Sequence, residues 1–206
     1  MIVEPVRLEG NHIRLEPLSI HHHADLCSIG LDEEIWRWNP APVSTPEEMT
    51  AYIETALRWQ KEGTALPFAT VDKTSGRAIG STRFANIDKA NRRVEIGWTW
   101  IGRRWQRTVV NTEAKYLMLR HAFEILGCIR VELKTDALNE RSRAAILRIG
   151  AKEEGTLRSH VITASGRLRD TDYFSILDTE WPDVKADLER KLARSSPQSS
   201  IDGNGE

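Results

Sequence analysis

The sequence predicts an α/β (α+β) chain, a mixed β-sheet with helices packed on its faces. Its centre alternates strand, helix, strand, helix over 94–101, 112–126, 130–136 and 139–149. The helix over 112–126 carries apolar residues around most of its circumference, as a helix lying on a sheet does. Strand segments stand on both sides of this core, a meander before it and a strand pair after it.

The elements follow in order. His12 to Pro17 alternates polar and apolar residues and reads as a first strand, stopped by proline. Ser19 is an N-cap candidate for a short helix over 21–28, and Pro40 ends any second helix. Thr45-Pro46-Glu47-Glu48 is a capping box with proline at the first helical position, opening a helix that Gly63 closes. Phe68–Val71 and Ala78–Phe84 form a hairpin around Thr74-Ser75-Gly76, and Val94–Ile101 is the third strand of the meander. Gly127 closes the long helix, and Gly150 closes the helix over 139–149. Strands near 156–163 and 172–177 flank the turn Ala164-Ser165-Gly166-Arg167, and an amphipathic helix covers 180–192. One domain over 1–194 is expected, with a disordered tail over 195–206 that has no apolar periodicity.

Composition narrows the function. The chain has 206 residues, 40% hydrophobic and 29% charged, and its net charge of −1 gives no bulk field for nucleic acid. No segment nears the roughly 20 apolar residues of a membrane span, and the N-terminus lacks a signal-peptide core. The expectation is a cytoplasmic protein with neither a nucleic-acid nor a membrane partner. Cys27 and Cys128 have no metal or redox spacing and are read as reduced core thiols. The consecutive His21, His22 and His23 project in different directions from a helix, so they read as a solvated run and not as a metal site. Lys115, Arg120 and Glu124 read as solvated helix charges.

Two segments carry chemistry. In WQRTVVNTEAKYL, a strand runs through a turn into the long helix, whose onset is expected near Thr112 with Asn111 as cap. A helix start offers about four backbone N–H groups without intrahelical partners and a partial positive charge. With Arg103, Arg104 and Arg107 just upstream, this end suits a pyrophosphate, the alternative being that Asn111 simply caps the helix and the arginines are solvated. In DALNERSRAAILRIGA, Asn139 caps a helix and Ser142 projects from its first turn.

Glu95-Ile96-Gly97, Asn111-Thr112-Glu113-Ala114, Asn139-x-x-Ser142 and Gly150-Ala151 with Glu154-Gly155 occur here in one order and spacing. In that arrangement the stretch from Val94 to Gly155 resembles the acetyl-CoA-binding core of the GNAT superfamily of N-acetyltransferases. Among its branches it is most similar to the Rim-type enzymes, which acetylate protein N-termini. The resemblance implies a mostly antiparallel twisted sheet of about seven strands with splayed central strands. It implies acetyl-CoA as co-substrate, no metal, direct transfer in a ternary complex, and an acceptor that is a peptide N-terminus or a small-molecule amine. Rim-like relatives are often dimeric, which implies a homodimer. Trp98, Thr99, Trp100 and Ile101 would pair through their backbone with the pantetheine arm. Gln106, Arg107, Thr108, Val109, Val110, Asn111 and Thr112 would cradle the pyrophosphate, and Asn139 would bond the arm. Glu95 is similar to the carboxylate that receives the amine proton, and Ser142 to the donor that protonates the departing thiolate; a pairing of Glu95 with Arg93 or Arg83 is the structural alternative. Trp36, Trp38, Asn39 and Phe68 would line the acceptor pocket, with core packing as the alternative. Thr108, Val109 and Val110 stand where the family pattern has glycine, so the turn is expected to present its N–H groups along a different backbone path. A non-catalytic acyl-CoA-binding module with a degenerate turn is the competing expectation.

Overall fold

The computed structural model describes residues 1–195. Ser195 ends the last helix, and the remainder of the expected tail, 196–206, lies outside the described residues.

The strands are β1 (Leu8–Glu9), β2 (Ile13–Pro17), β3 (Leu66–Asp72), β4 (Ala78–Asp88), β5 (Arg93–Ile101), β6 (Arg130–Asp136), β7 (Lys152–Ile162) and β8 (Leu168–Leu177). They form one sheet in the order β1-β2-β3-β4-β5-β6-β8-β7. Every neighbouring pair is antiparallel except β5 and β6, which run parallel. The helices are α1 (His23–Gly30), α2 (Glu33–Trp36), α3 (Pro46–Lys61), α4 (Val109–Arg120), α5 (Glu140–Arg148) and α6 (Trp181–Ser195). The sheet has eight strands among the described residues instead of seven, the addition being the two-residue β1, too short to show alternation.

Local chemistry sets several boundaries. Thr45 Oγ1 accepts from Glu48 N–H at 3.2 Å while Glu48 Oε2 accepts from Thr45 N–H at 3.2 Å, so the predicted capping box opens α3. Gly63 and Gly127 both take positive φ at the ends of their helices. After Arg120 the long helix widens into a π-turn over His121–Ile125.

Helices α4 and α6 cover one face of the sheet over a hydrophobic cluster that includes Phe68, Ile96, Leu117, Met118 and Leu133. Helices α1 and α3 cover the other face over a second cluster, with Trp36, Met49, Ile53 and Trp100. Glu113 ties α4 to the first hairpin, because its buried carboxylate accepts from the N–H groups of Asn11, His12 and Ile13 at 2.7–2.9 Å. Three backbone donors without ladder partners are satisfied at once.

Candidate active site

The parallel pair of strands is registered only at Arg93/Arg130, Val94/Val131 and Glu95/Glu132. Beyond Glu95, β5 continues to Ile101 alongside β4, while β6 continues to Asp136 alongside β8. The two strands diverge, and the expected splay is present. A bulge reinforces it: Gly97 faces Arg83 and Trp100 faces Ser81, so β5 carries one extra residue there, and Trp98 takes φ +48. Gly97 has a steric reason to be glycine, since a Cβ on it would stand 2.6 Å from Glu95 Oε1.

Strand β5 then leads into the N-terminus of α4. Gly102 gives way to a 3₁₀ turn over Arg103–Trp105, then Gln106 and Arg107. The helix begins at Val109, three residues before the expected onset, and Thr108 is the N-cap in place of Asn111. Thr108 Oγ1 accepts from Val110 N–H at 3.3 Å and donates to Trp105 O at 2.7 Å. Val109, Val110 and Asn111 are thus the first helical residues, whose N–H groups face outward by helix geometry. Val110 is buried in the core, so it does not plug this end. Thr112 is also buried, with its hydroxyl accepting from Arg148 at 2.9 Å; it is part of the helix wall and not of the turn.

The different backbone path is visible at Arg107, which takes φ +62, the left-handed conformation that glycine adopts most easily. Its exposed side chain has no carboxylate partner among the described residues. Arg103 pairs with Asp32 at 3.3 Å and Arg104 lies over the Trp105 ring. Two basic residues not singled out in the sequence join this end from α5: Arg141 bonds Gln106 Oε1 at 2.6 Å, and Arg148 bonds Thr112. Gln106 in turn donates to Ile101 O at 2.9 Å, so the turn is braced at both ends.

Glu95 lies on the α3 face of β5 and is 2% exposed. It pairs with neither Arg93 nor Arg83. Its Oε2 accepts from Lys134 Nζ at 2.8 Å and from Asn86 Nδ2 at 2.6 Å, while Arg93 pairs with Asp88 and Glu132. On the opposite face, Lys115 is buried and not a solvated helix charge. Its Nζ donates to Thr99 Oγ1 at 2.7 Å, and that hydroxyl lies 2.8 Å from Thr82 Oγ1. Burial pushes the Lys115 ammonium down to about 7, against the opposing pull of the Glu95 charge.

Asn139 caps α5 by accepting from Ser142 N–H at 3.1 Å. Because α5 follows directly from β6, both residues flank the side of the splay opposite β5. The four expected acceptor-pocket residues divide. Phe68 (0% exposed) and Trp36 (2% exposed) are core residues, the latter donating to Gly30 O at 2.6 Å, so neither reaches a substrate surface. Trp38 is half-buried under the guanidinium of Arg167, which bonds Asp136 at the end of β6. Asn39 Oδ1 accepts from Ala41 N–H at 3.3 Å. Trp38 and Asn39 therefore stay near the mouth of the splay, where Ala164 N–H also bonds Pro40 O at 3.1 Å.

The remaining expectations fall away from this face. His22 Nε2 lies 3.0 Å from Glu16 and His23 Nε2 2.9 Å from Pro46 O, so both are partnered and not merely solvated. Cys128 is a buried free thiol raised to about 11 by burial, whereas Cys27 is free but only half-buried. No helix among the described residues is long and apolar enough to cross a membrane.

Comparison with known proteins gives this arrangement a context. The family model described as an acetyltransferase (GNAT) domain matches residues 12–152. The chain is 36% identical over 178 residues to YdaF of Bacillus subtilis (strain 168), whose name provisionally calls it a ribosomal N-acetyltransferase; 83% of this chain and 92% of that protein are covered. A GCN5-related N-acetyltransferase from Brucella melitensis matches with a TM-score of 0.86 at 34% identity, covering 95% of this chain and 87% of that one. Mycobacterium smegmatis RimJ, solved with CoA-disulfide, shares the fold at a TM-score of 0.77 and 22% identity, covering 91% and 93% of the two chains.

Proposed function

The chain belongs to the GNAT acetyltransferase family, and from that premise we propose that it transfers the acetyl group of acetyl-CoA directly to a primary amine while both substrates are bound. The observation that carries this reading is the continuity of the splay with the α4 N-terminus. Strand β5 leaves β6 after Glu95, presents a backbone edge over 96–101 that no strand pairs among the described residues, and ends at a helix start whose N–H groups face outward.

Acetyl-CoA supplies an activated acyl group on a long arm that ends in a diphosphate, and the residues present fit both parts. The N–H groups of Val109 and Asn111, together with the exposed Arg107 guanidinium, suit the diphosphate. The backbone of Trp98–Ile101 suits the amide-bearing arm, with Asn139 across the splay. A backbone N–H of β5 would stabilise negative charge on the carbonyl oxygen, a kind of contribution worth about 2.7–4 kcal/mol in other enzymes. Glu95 takes the proton leaving the amine, held in place by Lys134 and Asn86. Ser142 returns a proton to the departing thiolate. The name of the B. subtilis relative, provisionally a ribosomal N-acetyltransferase, supports an amine of a ribosomal component as acceptor.

Calorimetric titration with acetyl-CoA, followed by thiol release over a panel of peptides and small amines, tests the reading. Saturable binding and amine-dependent thiol release are expected. Tight binding with no turnover on any amine defeats the proposal of transfer, and absence of binding defeats the diphosphate assignment.

A further inference from the structure

Arg83 lies in the middle of β4, opposite Gly97, and its side chain is 1% exposed. Its guanidinium sits among three rings, 4.8 Å from Tyr52, 5.4 Å from Trp59 and 5.2 Å from Trp98. All three rings are half-buried, so they form a surface with the cation beneath. Among the described residues no protein oxygen accepts from Nε or Nη2, and no carboxylate forms an ion pair with it. Glu95, two residues from Gly97 on the same face, gives its Oε2 to Lys134 and Asn86.

An arginine stays charged at any accessible pH, so burial does not neutralise it. Ring faces attract the cation but accept none of its in-plane N–H bonds. Nε and Nη2 lie on one edge of the guanidinium and present two parallel donors, the spacing of a carboxylate's two oxygens. The face already holds a general-base candidate, and the register separates the Arg83 and Glu95 positions by two residues, roughly 6–7 Å of strand. A molecule with an amine near Glu95 and a carboxylate a few bonds away spans that interval.

We propose that the acceptor is a primary amine bearing a carboxylate, which the Nε–Nη2 edge of Arg83 receives after passing between the rings of Tyr52, Trp59 and Trp98. The assignment rests on the acetyl-transfer reading above and adds the substrate class to it. The carboxylate is either the α-carboxylate of a free amino acid or the acidic side chain of a peptide's first residue.

The test uses the full chain with acetyl-CoA and matched pairs of amines: a free amino acid against its amide, and a C-amidated peptide beginning with Asp against one beginning with Asn. Thiol release gives kcat/KM, and tryptophan fluorescence in the presence of coenzyme A reads binding alone. The acid of at least one pair should exceed its neutral twin by roughly 10- to 100-fold, and the pair that discriminates names the source. Arg83→Lys keeps the charge but loses the fork, and should cut that preference to within about threefold. Equal treatment of acid and neutral twin in the wild-type protein overturns the proposal without any substitution, and so does an undiminished preference in Arg83→Lys. Should no amine be acetylated, fluorescence still decides: acid-selective binding upholds the Arg83 site while the transfer reading fails, and unselective binding defeats both.

Discussion

The β4–β5 pair buries one cation on each of its faces, and the two are treated differently. Beneath the sheet, Lys115 of α4 reaches the hydroxyl chain Thr99–Thr82. Above it, Arg83 is ringed by Tyr52, Trp59 and Trp98 and has no oxygen acceptor on Nε or Nη2 among the described residues. A lysine can release its proton when burial becomes costly, and Lys115, pushed down to about 7, is poised to do so. Arginine has no such escape. One face therefore contains its own remedy for a buried charge, whereas the other is left electrostatically incomplete. Incompleteness of that kind is uncommon in a folded core and is where a ligand's charge has most to contribute.

Glu95 is the carboxylate on the incomplete face, and its removal should have the largest effect. Glu95→Gln keeps the shape and the Asn86 neighbour but withdraws the proton acceptor. We expect kcat/KM with a good amine to fall about 10²–10³-fold, with the largest loss at low pH, where the amine most needs an acceptor for its proton. A variant within about threefold of wild type across the whole pH range would remove Glu95 from the mechanism.

The cations themselves can be compared by replacing each with methionine. The Lys115 ammonium has a lower value in the folded chain than its ordinary 10.5. Between about pH 7 and 10.5 the unfolded chain therefore binds more protons, and stability rises with pH across that window. Below pH 7 both states are protonated and the full penalty of the buried charge remains. Lys115→Met should accordingly stabilise the protein by about 1–3 kcal/mol at pH 6 and give little at pH 10. Arg83→Met should stabilise by a similar amount but equally at both pH values, because the guanidinium does not titrate. Urea denaturation at the two pH values checks the pair. A loss of stability in Lys115→Met at pH 6 would mean that the bond to Thr99 outweighs desolvation.

Neither cation was legible in the sequence as buried. Lys115 reads as a solvated helix charge, although apolar residues surround it on almost every side of the helical wheel. That surrounding run was the signal that a lysine there has nowhere to go but inward. Arg83 sits within Ser81-Thr82-Arg83-Phe84, where strand alternation says only that it shares a face with Ser81. What it meets on that face depends on α3 and on the bulge at Trp98, both distant in sequence. Where one face of a strand is apolar core and the other polar, alternation is legible: the sequence places β6 from Arg130 to Asp136, as observed. Strand β7, almost entirely exposed, begins four residues before the expected start because nothing on it alternates. The splay came from resemblance, since divergence of two strands has no signature in either one. The onset of α4 is not legible in the sequence because Asn111 and Thr108 are both good caps and the two valines between favour strands, leaving tertiary packing of Val110 to decide.

A third cation completes the contrast, this one in solvent on strained backbone. Arg107 holds φ +62, which a non-glycine residue adopts at some conformational expense, roughly 1–2 kcal/mol. Arg107→Gly and Arg107→Ala both delete the guanidinium, but only glycine accepts the left-handed backbone freely. If the charge holds the diphosphate, both variants should weaken acetyl-CoA binding by about 1–3 kcal/mol in calorimetry. Their stabilities should separate by a smaller amount, with glycine the more stable by up to about 1 kcal/mol. Equal stability would mean that the turn rearranges when the side chain is removed. Unchanged acetyl-CoA affinity in both would leave the diphosphate to the α4 amides alone, and Arg107 would then owe its position to the path of the chain and not to the ligand.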